Sequence, residues 1–326
     1  MHPLTADCPK PLLPVGPWTL LEHQIAALAR AGAQRVVLST GYRHEDFTDI
    51  VRTARAKGVD LATVVEGTPQ GTGGGLREAL SALQGAGEVL VVNGDLLTGH
   101  DLRAQVDRLR SSSPQVLGVV HVREVEDARP YGSILTDEQD CITAFVEKSD
   151  QPPSLTVNAG TYALRPGLLD RLPATGPASL ERDVFPQLAR EVRLVAHREQ
   201  AYFLDVGSPA ALLRANRDLL LDPWPGAATT RRTQALVLPG ALVHPQAELT
   251  GGTVVHEEAV IAAGARLDNA LVLPGAVVDQ GARVTRSVVG RAAHVGSGAE
   301  ITDVALGTSA SVSDGERMTG GTRPTV

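Results

Sequence analysis

The sequence is poor in aromatic residues, with Phe, Trp and Tyr making up 3% of its 326 residues. So few rings leave little surface on which bases could stack. A basic surplus is missing too: the formal net charge is -7, which opposes a phosphate backbone or an anionic membrane as partner. No nucleic acid and no membrane is therefore expected to bind. The two cysteines, Cys8 and Cys141, are far apart and unpatterned, so neither a disulfide framework nor a zinc site is indicated. No apolar run approaches the length of a bilayer span, and the first residues lack the basic and apolar regions of a signal peptide. The expected location is cytoplasmic. What is present is ordinary for a globular protein, 43% hydrophobic and 21% charged, in a chain long enough for two cores.

The organising stretch is Val89-Leu90-Val91-Val92-Asn93-Gly94-Asp95. Its apolar, mostly β-branched residues read as a strand buried on both faces, ending in a turn that presents Asp95. In open α/β sheets ligands bind outside the carboxyl ends of strands, so Asp95 suits a metal ligand as well as a solvated turn. Around it strands and helices alternate. Helices are predicted over Thr19–Arg30, 45–57 (ended by Gly58), Leu102–Arg110 and Leu180–Arg190, the last capped by Ser179. Strands are predicted at Arg35–Ser39, Leu61–Val65, Val116–Val122, Ser133–Thr136, Ile142–Glu147 and Val157–Leu164. This alternation predicts βαβ units with antiparallel additions, hence a mixed sheet.

Between Leu61–Val65 and the next helix, Glu66 leads into a loop with five glycines, Gly67 to Gly75. Such a loop lets a flat ligand approach the backbone or serves as a flexible connector. It is neither a P-loop nor a dinucleotide fingerprint. Lys10 sits between two prolines, a cation on a stiff backbone. Glu147-Lys148 sets an acid beside a base at a strand end. Tyr202 to Pro209 repeats the earlier device, an apolar strand delivering Asp205 before a helix with Ser208 as cap and Pro209 at its first position.

After a linker, residues 223–234, the periodicity changes. Val243, Leu249, Val255, Ile261, Leu267 and Leu273 recur every six residues, and the beat resumes at Val278, Val284, Val289, Val295 and Ile301. One aliphatic residue per hexad with a small neighbour predicts a left-handed parallel β-helix of roughly four coils. The expected division is 1–222 for an α/β domain, 235–315 for the β-helix and 316–326 for a frayed tail. His244, His256 and His294 read as solvated.

With these segments assembled, the chain resembles the sugar-nucleotide pyrophosphorylases (nucleotidyltransferases). The resemblance rests on Pro9 to Val15, the Glu66 to Leu76 loop, Asn93-Gly94-Asp95, Tyr131-Gly132, Phe145 to Lys148, Asn158-Ala159-Gly160, Ser179 to Pro186 and Leu204 to Pro209, in the family's order. The branch using GTP and mannose 1-phosphate lies nearest. The resemblance implies a Rossmann-like (GT-A-like) domain joining a nucleoside triphosphate, GTP favoured, to a sugar 1-phosphate. It implies Mg²⁺ on Asp95 and Asp205, with Lys10 and Lys148 as cationic clamps. Glu66, Gly71, Thr72 and Gly73 would meet the nucleotide, and Gly132, Glu147, Asn158 and Gly160 the sugar. One bidentate contact from Glu66 would match guanine's two adjacent donors. A homo-oligomer through the β-helix is expected.

The family also opens with a strand and a Gly-rich loop ending in Arg-Leu, whereas this sequence starts at the residues that follow it, His2-Pro3-Leu4-Thr5. Residues upstream are expected to complete the phosphate site, and the printed chain alone is expected to turn over little. Three rival readings are a non-catalytic regulatory paralogue that binds sugar nucleotides, a uridylyl-, thymidylyl- or heptose-type sugar-1-phosphate nucleotidyltransferase, and a hexapeptide acyltransferase.

Overall fold

The computed structural model describes residues 1–56, 59–83, 87–229 and 231–324. It divides into two compact units, Gln24–Phe203 and a second made of Met1–His23 with Leu204–Val326. In chain order the elements are β1 (Pro14–Val15), β2 (Trp18–Thr19), α1 (Leu20–Arg30), β3 (Arg35–Thr40), α2 (Thr48–Ala56), β4 (Asp60–Val65), α3 (Gly71–Ala82), β5 (Val89–Val92), β6 (Leu96–Thr98) and α4 (Leu102–Ser111). There follow β7 (Gly118–Glu124), β8 (Ser133–Thr136), β9 (Ile142–Val146), β10 (Thr156–Leu164), α5 (Phe185–Arg190), β11 (Leu194–Arg198), β12 (Phe203–Asp205) and α6 (Pro209–Leu221). The predicted helix end at Lys57-Gly58 lies outside the described residues.

The α/β unit is built on β10. This long strand is antiparallel to β5, β7 and β8, while β7 and β11 run parallel. The sheet is mixed, as expected. β3 and β4 pair in parallel as a separate two-stranded sheet. Among the described residues β5 pairs only with β10. Accordingly Val89 is buried but Leu90, Val91 and Val92 are half-buried, which corrects the expectation of a strand covered on both faces. A buried cluster that includes Val120, Ile134, Phe145, Tyr162, Leu180 and Phe185 holds α5 against the sheet.

In the register between β10 and β7, Asn158 faces Val122 and Tyr162 faces Val120. Three residues on β10, Ala159 to Thr161, thus face the one residue His121 on β7, a bulge that bends β10 at Gly160, whose φ is +68°.

The second unit carries the repeats. Strands β13 to β28, from Ala235–Val237 to Thr322–Arg323, form three parallel sheets of six, five and five strands. They make about five turns of a β-helix, more than the four coils expected, and the tail expected to fray carries Arg317–Thr319 and Thr322–Arg323 as strands. Each coil stacks a like residue on the next. One column is Val243, Ile261, Val278, Val295 and Val312, and another is Leu249, Leu267, Val284, Ile301 and Met318. The third column takes Val272, not Leu273, above Val255. That coil is one residue short, so the beat breaks one position earlier than the spacing suggested.

Within the same unit α6 braces the N-terminal hairpin. Its buried Asn216 accepts from the Gly16 amide at 2.8 Å and donates to Pro14 O at 3.1 Å. Ser208 caps α6 as predicted, accepting from Ala211 N. His256, expected in solvent, is 4% exposed, because it lies where the N-terminal segment covers the β-helix.

Candidate active site

The bulge in β10 gathers part of the candidate site in the α/β unit. Asn158 N donates to Gly132 O at 2.8 Å, and Asn158 Oδ1 accepts from Gly160 N at 3.0 Å. Gly132 has no room for a side chain, since a Cβ there would stand 2.8 Å from Glu147 Oε2 and 3.1 Å from the Phe145 ring. The four expected sugar residues, Gly132, Glu147, Asn158 and Gly160, are thus brought together. Glu147 and Lys148 line an open cavity of about 480 Å³ with Phe145, Val146, Glu181, Arg182 and Pro186. Burial and the nearby Glu181 carboxylate raise the Glu147 pKa, and the Lys148 and Arg182 cations pull it back down. An acid flanked by two cations can accept from a hydroxyl while the cations hold an anion.

The glycine loop has a structural reason to be glycine. The Gly73 and Gly74 amides donate to Ala178 O at 2.8 and 3.2 Å, and Ala178 N donates back to Gln70 O. A Cβ on Gly71, whose φ is +72°, would lie 2.6 Å from that carbonyl, and one on Gly73 3.1 Å. The glycines therefore let the 176–178 backbone dock on the first turn of α3. Glu66 closes the other side: its carboxylate accepts from Ser39 Oγ at 2.5 Å and from Gln70 N at 2.9 Å. Thr72 Oγ1 donates to Glu181 at 2.6 Å.

Asp95 follows the β5 strand as expected, half-buried, in a turn held by a residue the sequence reading passed over. Gln24 on α1 is 6% exposed and donates to Asn93 O at 2.9 Å and Leu96 O at 2.8 Å. The Asn93 amide donates to Gly160 O at 3.0 Å, tying this turn to the β10 bulge. Lys10, in a three-residue 3₁₀ turn, and Asp205, exposed at the end of β12, belong to the other compact unit. Glu181, Tyr162 and Arg182 were also overlooked. A sequence signal existed for Gln24, a polar residue one turn from Leu20 and from Leu28 on an apolar stripe.

A mixed α/β sheet, a docked glycine loop and a pocket pairing hydroxyl acceptors with cations define an enzyme of the group-transfer class. The chain belongs to the nucleotidyl transferase family, whose model matches residues 1–221, and the model of the GMPPB C-terminal domain matches residues 232–322. The mannose-1-phosphate guanylyltransferase of Mycobacterium tuberculosis is 36% identical over 278 residues, 84% of this chain and 77% of that protein. A Bacillus anthracis structure described as a glucose-1-phosphate thymidylyltransferase superposes with a TM-score of 0.61 over 66% of this chain and 88% of its own. At 21% identity it shows the fold alone. HddC from Yersinia pseudotuberculosis, complexed with GMP-PN, is 26% identical with a TM-score of 0.54, covering 66% of this chain and 92% of its own. The chain is thus a nucleotidyltransferase that ends in a parallel β-helix.

Proposed function

We propose that this nucleotidyltransferase condenses GTP with mannose 1-phosphate to give GDP-mannose and pyrophosphate. The observation that carries the reading is the pocket lined by Glu147, Lys148 and Arg182, with Gly132 packed on Glu147 and bonded to Asn158 behind it. The acid and the amide suit sugar hydroxyls, and the cations suit the sugar's phosphate. The choice of base and sugar leans on the likeness to the mycobacterial guanylyltransferase. A phosphate oxygen of the sugar phosphate attacks the α-phosphorus of the triphosphate, and the bond to the bridging oxygen breaks as pyrophosphate leaves. The nucleophile is already anionic, so no protein base is required. Holding two repelling anions in line is the main task. Lys148 neutralises the sugar phosphate, with Lys10 as the second clamp.

A divalent cation would offset charge on the triphosphate. Mg²⁺ commonly takes one or two carboxylates and fills its shell with water and phosphate. Asp95 after β5 and Asp205 at the end of β12 offer one carboxylate each. Asp95 and Asp205 are the carboxylates proposed to hold it. Glu66 is proposed to meet guanine with Gly71, Thr72 and Gly73. Each of its oxygens carries a second lone pair beyond the bonds to Ser39 and Gln70. The reaction is placed in the cytoplasm, where nucleoside triphosphates are made. Among the described residues no helix is long and apolar enough to cross a membrane.

The test is pyrophosphate release over a grid of triphosphates and sugar 1-phosphates, using protein expressed with its native upstream sequence. GTP with mannose 1-phosphate should turn over fastest. Preference for UTP or dTTP would remove the guanine assignment, and no release with any pair would remove the enzyme. Glu66→Gln should narrow the GTP preference roughly ten- to a hundredfold; an unchanged preference would leave Glu66 as a loop anchor alone.

A further inference from the structure

We propose that Glu181 is a positioning residue that couples the nucleotide loop to the sugar floor, fixing Thr72 directly and the Asn158 amide through Tyr162. The inference rests on the reaction proposed above and deepens it.

Glu181 is 8% exposed. Its Oε2 accepts from Thr72 Oγ1 at 2.6 Å and Ser179 Oγ at 2.9 Å, and its Oε1 accepts from the Tyr162 hydroxyl at 2.9 Å. Three hydroxyl protons thus end on one acceptor-only group. Tyr162 is fully buried, so its oxygen has no water to turn to. Having given its proton to Glu181, that oxygen offers only lone pairs, and Asn158 Nδ2 donates to it at 2.8 Å.

The amide of Asn158 is thereby left one orientation, with Oδ1 on the Gly160 amide. One N–H of Nδ2 remains for a sugar hydroxyl. On the loop side, Thr72 Oγ1 accepts from Leu180 N at 2.9 Å while its proton goes to Glu181. An amide in place of Glu181 has one accepting and one donating end. Whichever way it turns, either Tyr162 or the Thr72 and Ser179 pair meets a donor where it needs an acceptor. Reversing Tyr162 would turn Asn158 over and set two N–H groups, of Asn158 and of Gly160, against each other.

Initial rates over both substrates test the coupling. Glu181→Gln should raise KM for GTP and for mannose 1-phosphate together, each by about tenfold for a lost hydrogen bond to a charged group, with kcat changed by less than about threefold. Tyr162→Phe should raise only the mannose 1-phosphate KM, and Thr72→Val only that of GTP. A Glu181→Gln protein with one KM moved, or a Tyr162→Phe protein with both moved alike, would overturn the proposal. So would stability loss in all three with unchanged kinetic constants.

If Glu181→Gln does not fold, the Thr72→Val/Tyr162→Phe double variant decides. Both KM values raised as in the single variants, with kcat changed by less than about threefold, support the two arms, and either KM left unmoved overturns the proposal. Absence of pyrophosphate release by the unaltered protein would sink the reaction instead. The coupling would then be read from an atomic-resolution structure of Tyr162→Phe. A reversed or mixed Asn158 amide supports it, and unchanged hydrogen bonds overturn it.

Discussion

His100 and His121 are 7% and 0% exposed, with no hydrogen-bond partner on either ring nitrogen of His100 or on Nε2 of His121, from which Glu199 stands 3.8 Å away. Burial is the main cause that drives their pKa values down, to about 2 and about 3, helped by the His121 ring at His100 and by His197 and Arg123 at both, while Glu199 pulls His121 part of the way back up. Both are therefore neutral in the folded protein and titrate near 6.5 once unfolded. A folded-state pKa below the unfolded one means stability is complete above pH 6.5 and is lost as pH falls towards 3. Each group costs about 1.4 kcal/mol per pH unit in that window, large beside a typical total of about 5–15 kcal/mol. Denaturant unfolding at several pH values should show this slope, and His100→Leu should reduce it by about one proton's worth. An unchanged slope would mean His100 is not held neutral. None of this was visible in the sequence, where His100, His121 and His197 are scattered and only the β7 and β11 pairing aligns the last two. By contrast Asn158, Gly160 and Glu147 were legible, because short motifs carry their own local geometry. Glu181 lay inside a recognised segment without a role, since its partners Thr72 and Tyr162 are distant in sequence.

Among the elements, α3 is the least expected helix, since its first turn is nearly all glycine, a poor helix former. Docking on Ala178 supplies what propensity lacks. Gly71→Ala should therefore destabilise the protein by about 1–3 kcal/mol through left-handed strain and the clash with that carbonyl. It should raise KM for GTP more than for mannose 1-phosphate. Gly67→Ala, whose added methyl meets nothing within 4 Å, should leave stability within about 0.5 kcal/mol. Equal losses in the two variants would show that the loop is not docked as described. The sequence placed most strands and helices to within a few residues, and the caps at Ser179 and Ser208 held. It misjudged β5, because an apolar run records what a strand can bury, not how many neighbours cover it. It also misplaced Leu273, because a hexad count cannot say where a coil drops a residue.

At the scale of the molecule, the first β-helix coil leaves apolar side chains outside: Leu242 is 67% exposed and Val237 43%. Among the described residues β13, and Leu242–Val243 in the next sheet, pair on one side only, and the expected outcome is association of copies through that coil. Leu242→Glu should lower the mass measured by light scattering to that of one chain, and a mass the substitution leaves unchanged would count against the interface. The split of the chain also sets an order of events during translation. Residues 24–203 are continuous and can close as soon as they emerge, whereas Gly16 must wait for Asn216 to accept its amide hydrogen. At about 5–20 residues per second, a ribosome takes roughly 10–40 s to cover that interval. The segment Met1–His23 is thus expected to settle only among parts made after residue 203. Ribosome-stalled chains ending before residue 216 should lose their first residues to protease, while chains carrying the whole β-helix outside the tunnel keep them.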